Sequence, residues 1–234
     1  MKLASAQINC TVGEIYNNLE SHYRMVQSAI QKNVHLILFP ELSITGYCRE
    51  EGEKLAFTES DSKLNTLQDL STKGNIVIIA GAPIKIKEKL YIGSFIISPN
   101  QPIQIYTKQY LHGEEKLFYE ASMDFNPILS IEKQRISLAI CADINNKQHP
   151  YQAKKNNSSI YLPSIFYSKK GLDKGYKQLS HHAKTQSLHI LMSNYSGQVC
   201  GMESGGGSGF WNSDGKLTAN LNSTEIGLLL VEIE

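Results

Sequence analysis

The stretch Val34-His35-Leu36-Ile37-Leu38-Phe39-Pro40-Glu41 decides the fold. Its first six residues are apolar except His35. A run this short and this apolar reads as a strand covered on both faces. Pro40 stops it, because proline brings no backbone N–H to a ladder. Upstream, Leu19, Tyr23, Val26 and Ile30 recur at helical spacing, so residues 17–32 should form an amphipathic helix. Residues 1–9 read as a strand before it. The chain therefore opens as strand, helix, buried strand.

The same alternation continues downstream. Residues 63–73 read as helix and 76–80 as an apolar strand. Residues 90–97 and 103–106 read as a β-meander, split by the turn signal Ser98-Pro99-Asn100. A strand at 136–140 ends at Cys141. A short helix at 150–156, a strand at 159–162, a helix at 176–186 and a strand at 189–193 follow. Residues 210–221 resemble a hairpin around Asp214-Gly215, and 226–233 close as a strand. Alternating helices and strands with an added meander give an α/β class with mixed sheets. No linker interrupts the pattern, so residues 1–234 are expected to form one domain.

Composition narrows the function classes. The 23 Lys+Arg and 22 Asp+Glu of the 234 residues leave a net charge of +1. That gives no electrostatic reason to expect nucleic acid or an anionic membrane as partner. No stretch approaches the roughly 18 apolar residues of a membrane span. The first residues lack the apolar segment of a signal peptide, so a cytoplasmic location is expected. The four cysteines, Cys10, Cys48, Cys141 and Cys200, form no C-x-x-C pair and read as reduced thiols. Cys48 stands seven residues after Glu41, near any pocket mouth built there.

Three reactive side chains follow strand-like runs: Glu41, Lys108 and Cys141. Ligands of open α/β sheets bind at the carboxyl ends of strands, so the three can converge on one pocket. Together they are a nucleophile, a carboxylate and a cation. A nearby lysine favours a thiolate, and a carboxylate can take the thiol proton. Lys108 and the backbone N–H of Ala142 are candidate donors to a developing oxyanion. Each residue also has a plain reading. A cysteine ending a strand is more often a small buried hydrophobe. Glu41 also suits a helix cap, and Lys108 a solvated edge.

The local strings add to this. Phe39-Pro40-Glu41-Leu42-Ser43-Ile44-Thr45-Gly46-Tyr47 resembles the first signature of the nitrilase, or carbon–nitrogen hydrolase, superfamily. Tyr106-Thr107-Lys108-Gln109-Tyr110-Leu111 resembles its lysine segment, and Ile140-Cys141-Ala142-Asp143 its cysteine segment. They stand in the family's order. Leu3-Ala4-Ser5-Ala6-Gln7, Ser193-Asn194-Tyr195-Ser196-Gly197 and Gly207-Ser208-Gly209-Phe210 extend the likeness over nearly the whole chain. The resemblance implies a four-layer α-β-β-α sandwich and a Cys-Glu-Lys triad. Cys141 would be the nucleophile, Glu41 the general base and acid, and Lys108 the oxyanion stabiliser. It also implies a second pocket glutamate, which Glu115 matches best, with Glu114 beside it as the alternative. Tyr47, Ser164, Phe166 and Asn194, with Ala142, are the candidate substrate-binding residues.

The resemblance further implies a small carboxamide or N-carbamoyl substrate, no cofactor, no metal and a homodimer. The last strand-like run reaches Glu234 without a tail, so such a dimer is expected to pack through helices. Ala142 stands where many relatives carry an aromatic residue, and Tyr110 where many carry histidine; both changes bear on the substrate rather than the reaction type. Two rival readings stay open: a silent binding protein on the same fold, and a glutaminase-like ammonia donor to a separate chain. The glycine-rich 204–209 lacks the Lys-Ser/Thr of a phosphate loop, and His181-His182 with His189 make no H-E-x-x-H site.

Overall fold

In the computed structural model, which describes residues 1–233, two six-stranded sheets lie at the centre. In the first half of the chain run β1 (Lys2–Gln7), β2 (Leu36–Leu38), β3 (Val77–Ile86), β4 (Lys89–Ile97) and β5 (Gln104–Thr107). Then come β6 (Leu129–Ile131), β7 (Gln134–Ile140), β8 (Ile160–Ser164) and β9 (His189–Met192). A small hairpin, β10 (Gln198–Val199) and β11 (Met202–Glu203), precedes β12 (Gly209–Trp211), β13 (Leu217–Asn220) and β14 (Gly227–Glu232). One sheet has the order β14-β1-β2-β3-β4-β5 and the other β13-β12-β9-β8-β7-β6. Each mixes parallel and antiparallel pairs: β1 is parallel to β2 but antiparallel to β14, and β7 is parallel to β8 but antiparallel to β6.

Side-chain alternation builds the layers, because successive strand residues point to opposite faces. Ala4, Ala6, Ile37, Phe39, Ile78 and Ala80 face α1 (Ile15–Gln31) and α2 (Asn65–Gly74) through Leu19, Val26, Ala29 and Leu67. Their neighbours Leu3, Leu36, Leu38 and Ile79 share a core with Ile136, Leu138, Ile140, Ile160 and Leu162 of the second sheet. On that sheet's far face, Ala139, Tyr161, Ile190 and Met192 meet α3 (Gln148–Lys155) and α4 (Leu172–Gln186) through Ala153, Leu179 and Ala183. The result is the four-layer α-β-β-α sandwich. Among the described residues no helix is long and apolar enough to cross a membrane.

Polar side chains also tie the two sheets together. Ser5 Oγ donates to Met192 O at 2.8 Å, Ser193 Oγ to Ala6 O at 2.6 Å, and Ser164 Oγ to Phe39 O at 2.8 Å. Each buried hydroxyl is thereby satisfied, as burial demands. These bonds hold the ends of β2 and β8 in register, where the reactive side chains stand.

Some boundaries differ from the sequence reading. The apolar run 34–39 supplies only three ladder residues, because the chain turns toward the site at Phe39, whose N–H still reaches Ile79 O at 2.9 Å. The strand read at 76–80 continues to Ile86 through Pro83. Pro83 is tolerated because β2 has already stopped; on that side Pro83 only accepts, from Phe57 N at 2.9 Å. The strand β6 and the hairpin β10–β11 are too short for periodicity to mark.

Gly81 fixes how the segment after β2 sits on β3. A Cβ there would come within 2.5 Å of Leu42 N and 3.2 Å of Pro40 O. Gly81→Ala is expected to destabilise the protein by about 1–3 kcal/mol and to displace the Pro40–Leu42 backbone. Thermal melting checks it; an unchanged Tm would show that the segment has slack.

Candidate active site

Glu41 follows β2 in a buried turn, with Leu42 at φ +53°. Its backbone carbonyl accepts a hydrogen bond from the Tyr195 hydroxyl, which anchors the turn while the carboxylate points inward. Below the turn, His22 of α1 bonds Ser43 Oγ at 2.9 Å, and burial lowers the His22 pKa to about 4, so the ring is neutral. Lys108 follows β5, with its N–H on Ile92 O at 2.8 Å. Cys141 follows β7 and opens a 3₁₀ turn, Cys141–Asn145, at φ +40°. A side chain with a Cβ is strained there by about 1–3 kcal/mol, and such strain persists only where the surroundings enforce it.

What enforces it is Asp143. Its Oδ2 accepts from Ile140 N at 2.8 Å and from Tyr106 OH at 2.6 Å. Its Oδ1 accepts from Gln109 N and Tyr110 N, both at 2.9 Å. One buried carboxylate thus ties the end of β7 to the segment after Lys108. His149, between Tyr106 and Tyr161 at 2.9 and 2.7 Å, completes the network, and burial lowers its pKa. Asp143→Asn turns one acceptor oxygen into a donor facing donors. We expect a loss of about 2–4 kcal/mol in stability and a fall in kcat larger than any change in KM. Melting and steady-state kinetics check this; kinetics matching the parent protein would remove Asp143 from the positioning of Cys141.

The side chains meet in one cluster. Lys108 Nζ lies 2.6 Å from Glu41 Oε1 and 2.8 Å from Glu115 Oε1, and all three side chains are at most 1% exposed. Glu115 Oε1 also accepts from Tyr47 OH at 3.0 Å, and Oε2 from His112 N at 2.7 Å. Glu115 therefore caps its own 3₁₀ turn, Gly113–Leu117, while facing Lys108. Glu114 points outward and pairs with Arg49 at 3.1 Å, so Glu115 is the glutamate of the cluster. Glu41 Oε2 is buried with no donor within ordinary hydrogen-bond limits among the described residues, and the Cys141 thiol is close enough to act on that carboxyl. Cys141 Sγ also approaches Phe166 O at 3.9 Å.

Two carboxylates share one ammonium, and the proton balance follows from that. Burial raises the Glu41 pKa to about 7; Lys108 pulls it down and Glu115 pushes it up again. Burial opposes the Lys108 charge, but Glu41, Cys141 and Glu115 together hold its pKa above the ordinary lysine value. The thiol behaves otherwise than the sequence suggested. Burial, then Glu41, raise the Cys141 pKa well above the ordinary thiol value, and Lys108 only partly offsets them. The cluster at rest therefore holds a neutral thiol, a fixed cation and a carboxyl that exchanges its proton near neutrality. Among the described residues no group of three or more His, Cys, Asp or Glu side chains gathers in a metal-binding arrangement.

A cavity of about 360 Å³ opens onto this cluster. Tyr47, Glu115, Cys141, Phe166 and Tyr167 line its inner part, and Arg49, Lys174 and Met202 its mouth. The Tyr47 and Phe166 rings, 5.1 Å apart, form one wall. Of the proposed substrate-binding residues, Tyr47 and Phe166 are therefore on the cavity. Ser164 is engaged between the sheets and does not line it. Asn194 is buried behind the wall, accepting from Tyr167 N at 2.9 Å and donating to Gly206 O at 2.7 Å, so it shapes the cavity without lining it. Ala142 borders the adjoining groove with Tyr110 and Asn145. Sequence reasoning missed Asp143, Tyr167 and Tyr195. Asp143 stood inside the cysteine segment, and the invariable need of a buried carboxylate for donors was the signal available there.

The model of the carbon-nitrogen hydrolase family matches residues 2–234. A nitrilase of Pyrococcus abyssi is 26% identical over 147 residues, covering 61% of this chain and 56% of that protein. A glutamine-dependent NAD(+) synthetase of Aquifex aeolicus is 24% identical over 151 residues, covering 62% of this chain and 26% of its own length. The match thus spans about half of the first relative and a quarter of the second. The solved amidase of Nesterenkonia sp. AN1 superposes with a TM-score of 0.90 at 20% identity, covering 100% of this chain and 93% of that one, which establishes the shared fold. The same amidase is described as one from the nitrilase superfamily. With its length matched by the family model and its two-sheet architecture shared, the chain belongs to the carbon-nitrogen hydrolase family.

Proposed function

We propose that the protein hydrolyses a non-peptide C–N bond in a small carboxamide or N-carbamoyl compound, through a thioester on Cys141. The observation that carries this reading is the buried cluster at the cavity floor: an orphaned Glu41 oxygen beside a thiol, with Lys108 fixed between Glu41 and Glu115. Such a cluster is expensive to desolvate, and a silent scaffold would gain nothing from it.

The steps follow from the geometry. Cys141 Sγ attacks the carbonyl carbon while its proton passes to Glu41 Oε2. The carbonyl oxygen takes the negative charge. Two of the three Lys108 N–H donors are held by Glu41 and Glu115, the third is available to that oxygen, and the Ala142 N–H is the candidate second donor. The C–N bond breaks, and Glu41 returns the proton to the leaving nitrogen, so ammonia or an amine departs. Water then attacks the thioester and gives a proton to Glu41. The tetrahedral intermediate collapses to the acid, and the thiol is restored. Glu115 orients Lys108 and raises the Glu41 pKa, which suits a group that alternates between base and acid near neutrality.

The cavity volume and its aromatic wall fit a short acyl chain rather than a polymer. A panel of small amides, ureas and N-carbamoyl amino acids tests the reading by ammonia release. Turnover of at least one class is expected; hydrolysis of none, by protein retaining its native melt, would overturn it.

A pH profile tests the acid–base assignment. Attack needs ionised Glu41, so kcat/KM should rise with pH around an apparent pKa of about 7. Lys108 is held above its ordinary value, so no loss from its deprotonation is expected up to pH ~9. Stability runs the other way. The folded pKa of Glu41, about 7, exceeds the ordinary 4.5, so the contribution is complete below 4.5 and is lost as pH rises through 7. Glu41→Gln should abolish the rise in activity. A rise that survives in that variant would assign the base elsewhere.

A further inference from the structure

Tyr167 lines the active-site cavity, and its ring rests against the start of α4. The chain offers the ring a pair of glycines four residues apart, Gly171 and Gly175, which line the same cavity. A Cβ at Gly175 would lie 2.3 Å from Tyr167 Cε2 and 2.5 Å from Cζ. Carbon atoms in contact stand about 3.5–4.0 Å apart, so no side chain fits there while the ring stays. A Cβ at Gly171 would meet Tyr167 Cδ1 at 3.8 Å, which is ordinary contact. The Gly175 backbone is helical, with its N–H on Gly171 O at 3.1 Å. Glycine is a poor helix former, and no positive φ calls for it at this position. The ring is what requires it.

Neither backbone at this contact is free to retreat. Tyr167 N donates to Asn194 Oδ1 at 2.9 Å, and Tyr167 O accepts from Gly205 N at 2.9 Å and from Asn194 Nδ2 at 3.2 Å. The helix α4 is held by buried Leu179 and Ala183, and by Gln178 Nε2 and His182 Nε2 at 2.6 and 2.8 Å from Ile144 O. A side chain at 175 would therefore be met by rotation of the Tyr167 ring, and the space open to that ring is the cavity. We propose that Gly175 is a specificity-determining residue: it lets the Tyr167 ring rest on α4 and so keeps the cavity open to carboxamides whose acyl chain is longer than acetyl. The chain's methylenes would leave water against Tyr47, Phe166 and Tyr167. The inference deepens the amide-hydrolase reading above and rests on it for the class of ligand.

The first test is the ratio of kcat/KM for hexanamide to kcat/KM for acetamide. The parent protein is expected to favour hexanamide. Gly175→Ala should lower the ratio at least ~10-fold, the scale on which a hydrophobic pocket discriminates between chain lengths. Gly171→Ala should lower it less. Gly175→Ala combined with Tyr167→Leu should restore the ratio, because the ring that the new methyl displaces is gone. A parent preference for acetamide, equal losses for both amides, equal effects of the two alanines, or a ratio that stays low in the double variant would overturn the proposal. The second test needs no turnover: a crystal structure of Gly175→Ala. The Tyr167 ring is expected to swing off α4 into the cavity; a ring that keeps its place while α4 shifts would overturn the proposal. If the parent protein hydrolyses neither amide, the catalytic reading is what suffers, and the position of the ring decides this inference by itself.

Discussion

Replacing Cys141 with alanine is expected to lower kcat for amide hydrolysis by at least ~10³-fold while leaving the melting temperature nearly unchanged. The two halves have separate causes. Alanine keeps the Cβ, so the backbone strain at φ +40° and the Asp143 bonds that hold it are untouched. The thiol's only direct contact with a measured distance is the weak one to Phe166 O at 3.9 Å, and beyond it the thiol acts only on the Glu41 carboxyl, so little stability goes with it. The reaction, however, loses the atom that forms the thioester. Lys108 and Glu41 then have no covalent intermediate to stabilise, and what remains is binding and a preorganised charge, as in other enzymes stripped of their nucleophile. Ammonia release and a thermal melt on the same sample separate the two effects. Activity near the parent value would remove Cys141 from the mechanism.

The second large effect concerns Lys108. Lys108→Met keeps the length of the side chain and removes its charge. Glu41 and Glu115 would then face each other in the interior with no cation. We expect a loss of about 3–5 kcal/mol at neutral pH, the usual result of orphaning a buried charge, and a fall in kcat of at least ~10²-fold from the lost oxyanion donor. The sign of the pH dependence identifies the cause. Without the ammonium, the Glu41 pKa moves further above the ordinary carboxylate range. The penalty is then smallest below about pH 4, where Glu41 is protonated in folded and unfolded chains alike, and grows as pH rises. Melting at pH 5 and pH 8 checks this. A penalty equal at both values would show that packing, not charge, is what the substitution disturbs.

Much of this site was legible in the sequence because it depends on chain positions at strand ends. The runs before Glu41, Lys108 and Cys141 are apolar, and sheet geometry brings their carboxyl ends together. Residues that act through three-dimensional placement were harder to read. Ser164 ends a strand and Asn194 follows one, yet alternation turns Ser164 toward the opposite sheet, and Asn194 bonds the backbone behind Tyr167. Glu114 and Glu115 are adjacent and chemically equal. Only the 3₁₀ turn, with Glu115 capping His112 N, decides which one faces Lys108. The thiol pKa was misjudged because sequence shows that a lysine is near but not that burial and two carboxylates outweigh it.

The central claim is that Cys141 carries the acyl group. Intact-mass spectrometry tests it most directly, on protein quenched in acid during turnover of an amide that releases ammonia, followed by peptide mapping. The account predicts an acyl adduct on the peptide containing Cys141, absent in Cys141→Ala and diminished in Glu41→Gln, where the base that takes the thiol proton is missing. An adduct on any other residue, or continued ammonia release by Cys141→Ala with no adduct at all, would contradict it.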